Sequence, residues 1–460
     1  MQELDAHIER VKKLIEFDAH DELKEFINDM NISDAAELIN EISDKTLYLF
    51  QLLEPQRALA VFRIIDLSNQ ELLLKNLPPN IRLKILNELP PDDRTALLSE
   101  LHSNVVKDII KDLNPEERKI TLSLLGYPEQ SIGRLMTPDF IDVRLDWTVE
   151  QVLTYIRDYG KRSETIDVIY VTDENGKLID DVRIRNILLV DPKATKVEDL
   201  IDGRYISLNV NDDQNETVNV FQMNNRVALP VVDDKNILLG IVTIDDVLWV
   251  AEEEYTEDIQ KIGGTEALDE PYLDISLSQL YKKRIVWLII LFFGELLTIF
   301  AMSNFENEIA KVVILATFIP LIISSGGNSG SQAATLIIQA MALDEISIRD
   351  WWRIMKREIK SGLLLGGTLS IISFTLINIW NFFSPVFGEH HWLISFVVGA
   401  SLIGVVLWGT LMGSMLPLLL KKIGADPAAS STPFVATLCD VTGLIIYFSF
   451  ALFFLKGILL

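Results

Sequence analysis

The chain of 460 residues carries a net charge of -25, distributed very unevenly. Residues 282–460 hold 12 Lys and Arg against 10 Asp and Glu, which leaves 29 basic and 56 acidic residues, a net -27, in residues 1–281. A region this acidic repels phosphate and so excludes nucleic acid as its partner; its natural counterions are cations, and self-repulsion opposes its compaction.

The single Cys439 excludes an intramolecular disulfide. The stretch Met1 to Glu25 is dense in charge and lacks the apolar run of a secretion signal, so residues 1–281 are expected in the cytosol. Residues 1–130 read as short amphipathic helices joined by tight turns. Apolar residues recur every 12 positions at Leu53, Ile65, Leu77, Leu89, Leu101, Leu113 and Leu125, with a second row at Leu74, Leu86, Leu98, Ile110 and Leu122. Pro78-Pro79, Pro90-Pro91 and Asn114-Pro115 follow members of the first row, where one helix must stop and the next begin. One short helix plus a turn, stacked repeatedly, predicts an α-solenoid; a compact bundle is the alternative.

Residues 131–250 change to short β-rich runs. Ile166 to Thr172 and Ala228 to Asp233 are strand-like, with helical segments at Val149 to Asp158 and Glu216 to Asn224. The same order of elements is traced twice, once after Met136-Thr137-Pro138 and again after Ile201-Asp202. This tandem α/β repeat resembles a pair of cystathionine-β-synthase (CBS) domains, most closely where Leu229-Pro230-Val231-Val232-Asp233 precedes Gly240-Ile241-Val242-Thr243-Ile244-Asp245-Asp246. CBS pairs often bind adenine nucleotides, and the resemblance places Thr243 and Asp246 at the phosphate and ribose positions. In the first copy Arg183 and Asn186 stand there instead, so one half-site for ATP is implied at most, and a purely structural pair is the alternative.

Residues 251–281 form an acidic connector, with Glu252, Glu253, Glu254, Glu257 and Asp258 before Gly263-Gly264, and Glu266, Asp269 and Glu270 after. Its composition before the glycines is helical. Its place just ahead of the membrane part makes it a gating arm or, more simply, a solvated helix.

Five apolar stretches in residues 282–460 are long enough to cross a bilayer, near Ile285–Asn304, Val312–Ala340, Leu363–Phe383, Trp392–Leu420 and Pro433–Leu455. The second contains Pro320 and the polar run Ser324 to Gly330, which predicts an unwound or broken helix. Lys282, Lys283, Arg284, Arg349, Arg353, Lys356, Arg357, Lys360, Lys421 and Lys422 flank one set of stretch ends, whereas the alternate loops carry only Lys311 in one and no Lys or Arg in the other. Basic residues mark the cytosolic side, so the N-terminus is expected inside and the C-terminus outside. Trp351-Trp352 suit a segment lying on the inner interface.

Asp440 lies inside the fifth stretch. An ionisable group there costs at least ~2.5 kcal/mol and reads as functional by default. All 12 basic residues of this half lie at or beyond stretch ends, so its countercharge is a permeating cation unless the acid is protonated. Thr437, Thr442 and Gly443 are expected to line the same wall. Glu295 is the other acid within a stretch, read equally as a functional group or as a protonated packing residue. Asp426, before Pro427, is a turn residue at the inner mouth that can also attract a cation. Gly326/Gly330, Gly362/Gly366 and Gly409/Gly413 are small-xxx-small spacings that fit close helix packing.

The run Pro320 to Thr335, with Gly326-Gly327-Asn328-Ser329-Gly330-Ser331-Gln332, resembles the second-helix motif of the MgtE family of magnesium channels. Asp426-Pro427-Ala428, continued by Ser431 to Gly443, resembles that family's last-helix motif, and the domain order agrees over essentially the whole chain. The resemblance implies a multidomain membrane protein: an α-solenoid N-domain (1–130), an α/β CBS-domain pair (131–250), an acidic connecting or plug helix (251–281) and an all-α five-helix transmembrane pore domain (282–460). It also implies a homodimer in the cell membrane whose pore runs along the subunit interface. The aspartate matching Asp440 faces hydrated Mg²⁺ there, and the one matching Asp426 lies near the inner entrance. Glu254-Tyr255-Thr256-Glu257-Asp258 resembles the plug-helix stretch that joins cytosolic Mg²⁺ sites, with Asp246, Asp92 and Asp93 as further candidate ligands. The implied function is a Mg²⁺ channel closed by cytosolic Mg²⁺.

A proton- or cation-coupled divalent-metal carrier using Asp440 and Glu295 is the main rival, and the same carboxylates suit Mn²⁺, Co²⁺ or Ni²⁺. An anion channel is disfavoured because the apolar stretches offer acids and no bases. No HExxH, P-loop or nucleophile elbow points to an enzyme.

Overall fold

The computed structural model describes residues 2–458 except 102, 269–271, 274, 307–309, 311, 344 and 385–386. Asp269, Glu270 and Lys311 therefore lie outside the described residues. The chain divides into two compact units, residues 1–252 and 253–460.

In the first unit, helices α1 (Gln2–Glu16), α2 (His20–Asp29), α3 (Ile32–Glu41) and α4 (Thr46–Leu52) lead into six that begin every 12 residues. These are α5 (Pro55–Ile64), α6 (Leu67–Asn76), α7 (Pro79–Glu88), α8 (Pro91–Glu100), α9 (Ser103–Asp112) and α10 (Pro115–Leu125). Four start on a proline, whose fixed φ suits the first helical turn. The first apolar row supplies the residue after each helix: Leu53, Ile65, Leu77 and Leu89 turn to extended backbone and are buried beneath the turn. Leu74, Leu86 and Leu98 of the second row are buried, whereas Leu122 is 50% exposed because the array ends at α10. Arg94 lies fully buried between α8 and α10. It donates to Leu86 O and Thr121 Oγ1 at 3.0 and 2.9 Å and pairs with Glu117.

The two CBS copies each hold a three-stranded sheet. The first has β1 (Asp142–Val143) parallel to β2 (Val168–Thr172) and β2 antiparallel to β3 (Leu178–Arg183), with α12 (Val149–Tyr159) and α13 (Ile184–Leu188). The second repeats this with β4 (Leu208–Asn209), β5 (Ala228–Val232), β6 (Leu238–Thr243) and α14 (Gln214–Asn224). The copies are interleaved. Helix α11 (Ile132–Leu135) and Met136 pack in the second copy's core with Leu208, Val210 and Val231, and Thr137 bridges Ile241. Leu124 of α10 joins that same core. Arg226 of the second copy pairs with Asp181 of the first at 2.5 Å.

Helix α15 (Ile244–Ile262) runs without interruption from the second CBS copy into the connector and stops at Gly263-Gly264. Gly264 adopts φ +76°, the left-handed turn that ends it.

The second unit contains five helices of membrane-spanning length and hydropathy: α16 (Leu277–Ser303), α17 (Ile319–Ala342), α18 (Trp351–Phe383), α19 (His391–Lys422) and α20 (Thr432–Leu455). One expectation is corrected here. The run Ser324 to Gly330 does not break its helix, since α17 is continuous through it. Its glycines serve helix packing instead: a Cβ on Gly409 or Gly413 would lie 2.5 or 2.0 Å from the carbonyl oxygens of Gly326 or Gly330, so α17 and α19 touch backbone to backbone. Trp351 and Trp352 form the first turn of the 33-residue α18.

Candidate functional site

The expected site residues gather at three places, one in the first unit and two in the second. In the first unit the opening turns of α8 and α15 bring Asp92 and Asp93 together with Asp245 and Asp246, and Glu164 joins them from the loop before β2. Helix N-termini favour negative charge, but the crowding is severe. Burial, then the charges of Asp246 and Asp93, push Asp92 well above the usual carboxylate range. Burial likewise pushes Asp246 up to about 7, against a Thr243 hydrogen bond and with help from Asp245, Asp93 and Glu164. Asp92 is 5% exposed, and its Oδ1 has no hydrogen-bond donor among the described residues. Buried carboxylate oxygens are almost always paired, so this donor set fits a cation.

One base enters the cluster. Arg63, from the last turn of α5, lies 2.5 Å from Asp93 and 3.9 Å from Glu164. Arg63, Glu164 and Asp245 were missed in the sequence reading. Asp245 adjoins a predicted residue, while Arg63 and Glu164 carry no local signal.

Thr243, expected to hold nucleotide, is buried, and its hydroxyl lies 2.5 Å from Asp245 and 2.7 Å from Asp246. It has one proton to give. Thr243 and Asp246 are thus turned toward the carboxylate cluster.

The second place is the connector end of α15 against the start of α20. Lys261 bonds Glu257 at 2.6 Å and Asp426 at 2.8 Å, and Thr432 Oγ1 donates to the carbonyl of Ile262 at 3.1 Å. Asp258 is raised by burial and then by the nearby Asp426. Burial opposes the charge on Lys261, but its bonds to Asp426 and Glu257 outweigh that and hold it above its ordinary value. Glu254, one turn earlier, is half-buried.

The third place is in the membrane part. Thr432, Ala436 and Asp440 follow one another at four-residue intervals along one stripe of α20. An open groove of about 650 Å³ between α17 and α20 is lined by Ser331, Gln332, Thr335, Thr432, Pro433 and Ala436. Beside the groove-lining Ala436, α17 also passes close to Asp440: a Cβ on Gly327 would sit 3.4 Å from Asp440 Oδ1 and 3.5 Å from Ala436 Cβ. Glu295 of α16 lies within hydrogen-bonding reach of Asp440. Thr442 and Gly443 do not share this wall: Thr442 accepts from Trp408 Nε1 at 2.9 Å, and a Cβ on Gly443 would meet Val405, both residues of α19.

Among the described residues no three His, Cys, Asp or Glu side chains converge closely enough to cage a metal. Cations at these places would be held by few carboxylates and by water, as Mg²⁺ prefers.

A five-helix membrane domain with an acid inside an apolar span, in one chain with an acidic CBS-containing region, defines a divalent-cation transporter. Residues 319–450 match the family described as a divalent cation transporter, residues 30–130 the MgtE intracellular N domain, and residues 132–193 and 197–253 the CBS domain. The chain is 40% identical over 350 residues to the magnesium transporter MgtE of Thermus thermophilus, covering 76% of each chain. It is 30% identical over 341 residues to that of Enterococcus faecalis, covering 74% of this chain and 73% of the relative. The crystal structure of the cytosolic domain of the Mg²⁺ channel MgtE in complex with ATP aligns at TM-score 0.50 and 30% identity, covering 52% of this chain and 98% of that one. The chain belongs to the MgtE family of magnesium transporters.

Proposed function

We propose that this protein is a magnesium channel of the cell membrane, working as a homodimer, with its N-terminus in the cytosol and its C-terminus outside. The observation that carries the reading is Asp440: a carboxylate one turn beyond the groove-lining Ala436 of α20, in a helical domain whose basic residues all lie outside the apolar stretches. A hydrated Mg²⁺ ion meets few protein ligands there, binding well enough to enter and weakly enough to leave. The flanking basic residues set the orientation.

Cytosolic Mg²⁺ closes the channel. Asp92, Asp93 and Asp246 would hold it at the carboxylate cluster, and Glu254, Glu257 and Asp258 at the connector end, while Asp426 attracts the permeating ion at the inner mouth. The orphaned Asp92 oxygen supports the first site. Neutralising these acids removes the repulsion that opposes the compact state, and the ion shifts the gate by its differential affinity for that state. Adenine nucleotide at Thr243 and Asp246 is the accompanying proposal, supported by the ATP complex of the relative's cytosolic domain. Here it competes with the carboxylate cluster for Asp246. A proton- or cation-coupled carrier is the second reading, favoured by the contact between Asp440 and Glu295.

Mg²⁺ uptake into vesicles containing the purified chain tests the assignment. Uptake that persists unchanged in Asp440→Asn removes Asp440 from the ion path and the proposal with it.

A further inference from the structure

Asp440 has a partner that its own helix does not provide. Glu295 comes from α16, which buries only Thr298 and Ala301, and its carboxyl reaches Asp440 of α20. At this level α16 runs against α20: a Cβ on Gly294 would lie 2.6 Å from Thr437 Cγ2, so only glycine permits the approach. One turn beyond Glu295, Thr298 is 8% exposed and its hydroxyl has no hydrogen-bond partner among the described residues. Thr298 and Glu295 are three residues apart and so neighbours on the helix surface. The α16 surface nearest Asp440 thus carries an acid and a buried, unsatisfied hydroxyl, in a helix otherwise apolar from Ile285 to Met302.

Two carboxyl groups in contact, away from any basic side chain, either share a proton or hold a cation between them. The two possibilities differ in what they do for ion choice. A single carboxylate attracts any cation. Two carboxylates held by packed helices favour a divalent ion, which offsets both charges, over a monovalent ion, which leaves one buried and uncompensated. One or two carboxylates together with water is also the donor set that Mg²⁺ takes.

We propose that Glu295 is a second carboxylate of the ion site at Asp440 and sets its preference for divalent over monovalent cations. This rests on the reading of Asp440 as the pore acid. Thr298 is the adjacent hydroxyl available to a water of the hydrated ion.

The full-length protein in vesicles provides the test, with Mg²⁺ and Na⁺ uptake measured for wild type, Glu295→Gln, Glu295→Asp and Asp440→Asn. Glu295→Gln should raise half-saturating Mg²⁺ on the order of tenfold and reduce the preference for Mg²⁺ over Na⁺. Glu295→Asp, which keeps a carboxylate, should recover most of that preference. Wild-type affinity and preference in Glu295→Gln, with uptake lost in Asp440→Asn, would show that Glu295 only packs. Uptake retained in Asp440→Asn would instead break the pore reading itself. A measurement on the unmutated protein guards against misfolded variants. An apolar carbodiimide should modify Glu295 in the membrane, and Mg²⁺ should protect it more than Na⁺ at matched ionic strength. Equal modification in the two salts overturns the proposal.

Discussion

At the cytosolic cluster, Asp92, Asp93, Glu164, Asp245 and Asp246 converge from three segments around one guanidinium, that of Arg63. In the membrane part, Asp440 and Glu295 meet with no base in the apolar stretches. The first arrangement is crowded with acids and part-neutralised by a fixed positive charge, whereas the second is sparse and has none. The same side-chain chemistry suits a sensor or a path according to how many acids converge and whether a fixed positive charge competes with the ion.

Four changes would break or sharpen that contrast. The largest effect is expected from Asp440→Ala, which should abolish Mg²⁺ uptake and leave Mg²⁺-dependent protection of the cytosolic region from proteolysis unchanged. Loss of both together would mean that the two sites are not separable. Next, Asp92→Asn with Asp246→Asn should keep uptake but raise the Mg²⁺ needed for that protection by about tenfold or more. Matched ionic strength from Na⁺ must not substitute; if it does, the protection is general screening.

A pH series gives a moderate effect. The folded state raises Asp246 to about 7, so between the usual carboxylate range and that value it holds a proton that the unfolded chain has released. Stability of the Mg²⁺-free cytosolic region should therefore fall as pH rises through this window and level off above it. Thermal midpoints measured in chelator from pH 5 to 8.5 check this. Asp246→Asn should flatten the profile, and added Mg²⁺ should stabilise more at the alkaline end. A midpoint that rises with pH in chelator contradicts the cluster's electrostatics. The smallest change is at the connector: Asp426→Asn should lower uptake a few-fold at low Mg²⁺ through weaker attraction, an effect lost in high salt. Salt-independent loss would point to packing, through the Lys261 and Ala428 bonds of Asp426.

Much of the architecture was legible in the amino-acid order, for reasons that differ by region. The prolines at Pro55, Pro79, Pro91 and Pro115 mark helix starts because proline fits the first turn and little else of a helix. The CBS copies could be traced because strand and turn chemistry repeats, but their interleaving could not: Thr137 pairs with Ile241, a long-range contact that no local pattern encodes. The run Ser324 to Gly330 was misread because glycine's helix penalty belongs to exposed helices in water. In α17 the same residues allow backbone contact with α19, and the helix persists. Asp440 was found as an acid in an apolar stretch, and Asp92 and Asp246 through the family resemblance. Arg63 stayed hidden because a surface-composition arginine in a short helix looks like any other until α8 and α15 are folded against it. Glu295 was visible as an acid, but its proximity to Asp440 exists only once α16 packs on α20.

The central claim is that Mg²⁺ itself passes through a pore governed by Asp440, and single-channel recording in planar bilayers with Mg²⁺ as the only permeant cation tests it most directly. Discrete Mg²⁺ currents are expected from the wild-type chain, closing as Mg²⁺ is raised on the cytosolic face and absent from Asp440→Ala. Mg²⁺ uptake into vesicles without resolvable currents, driven instead by an imposed proton gradient, would contradict the account and point to a carrier.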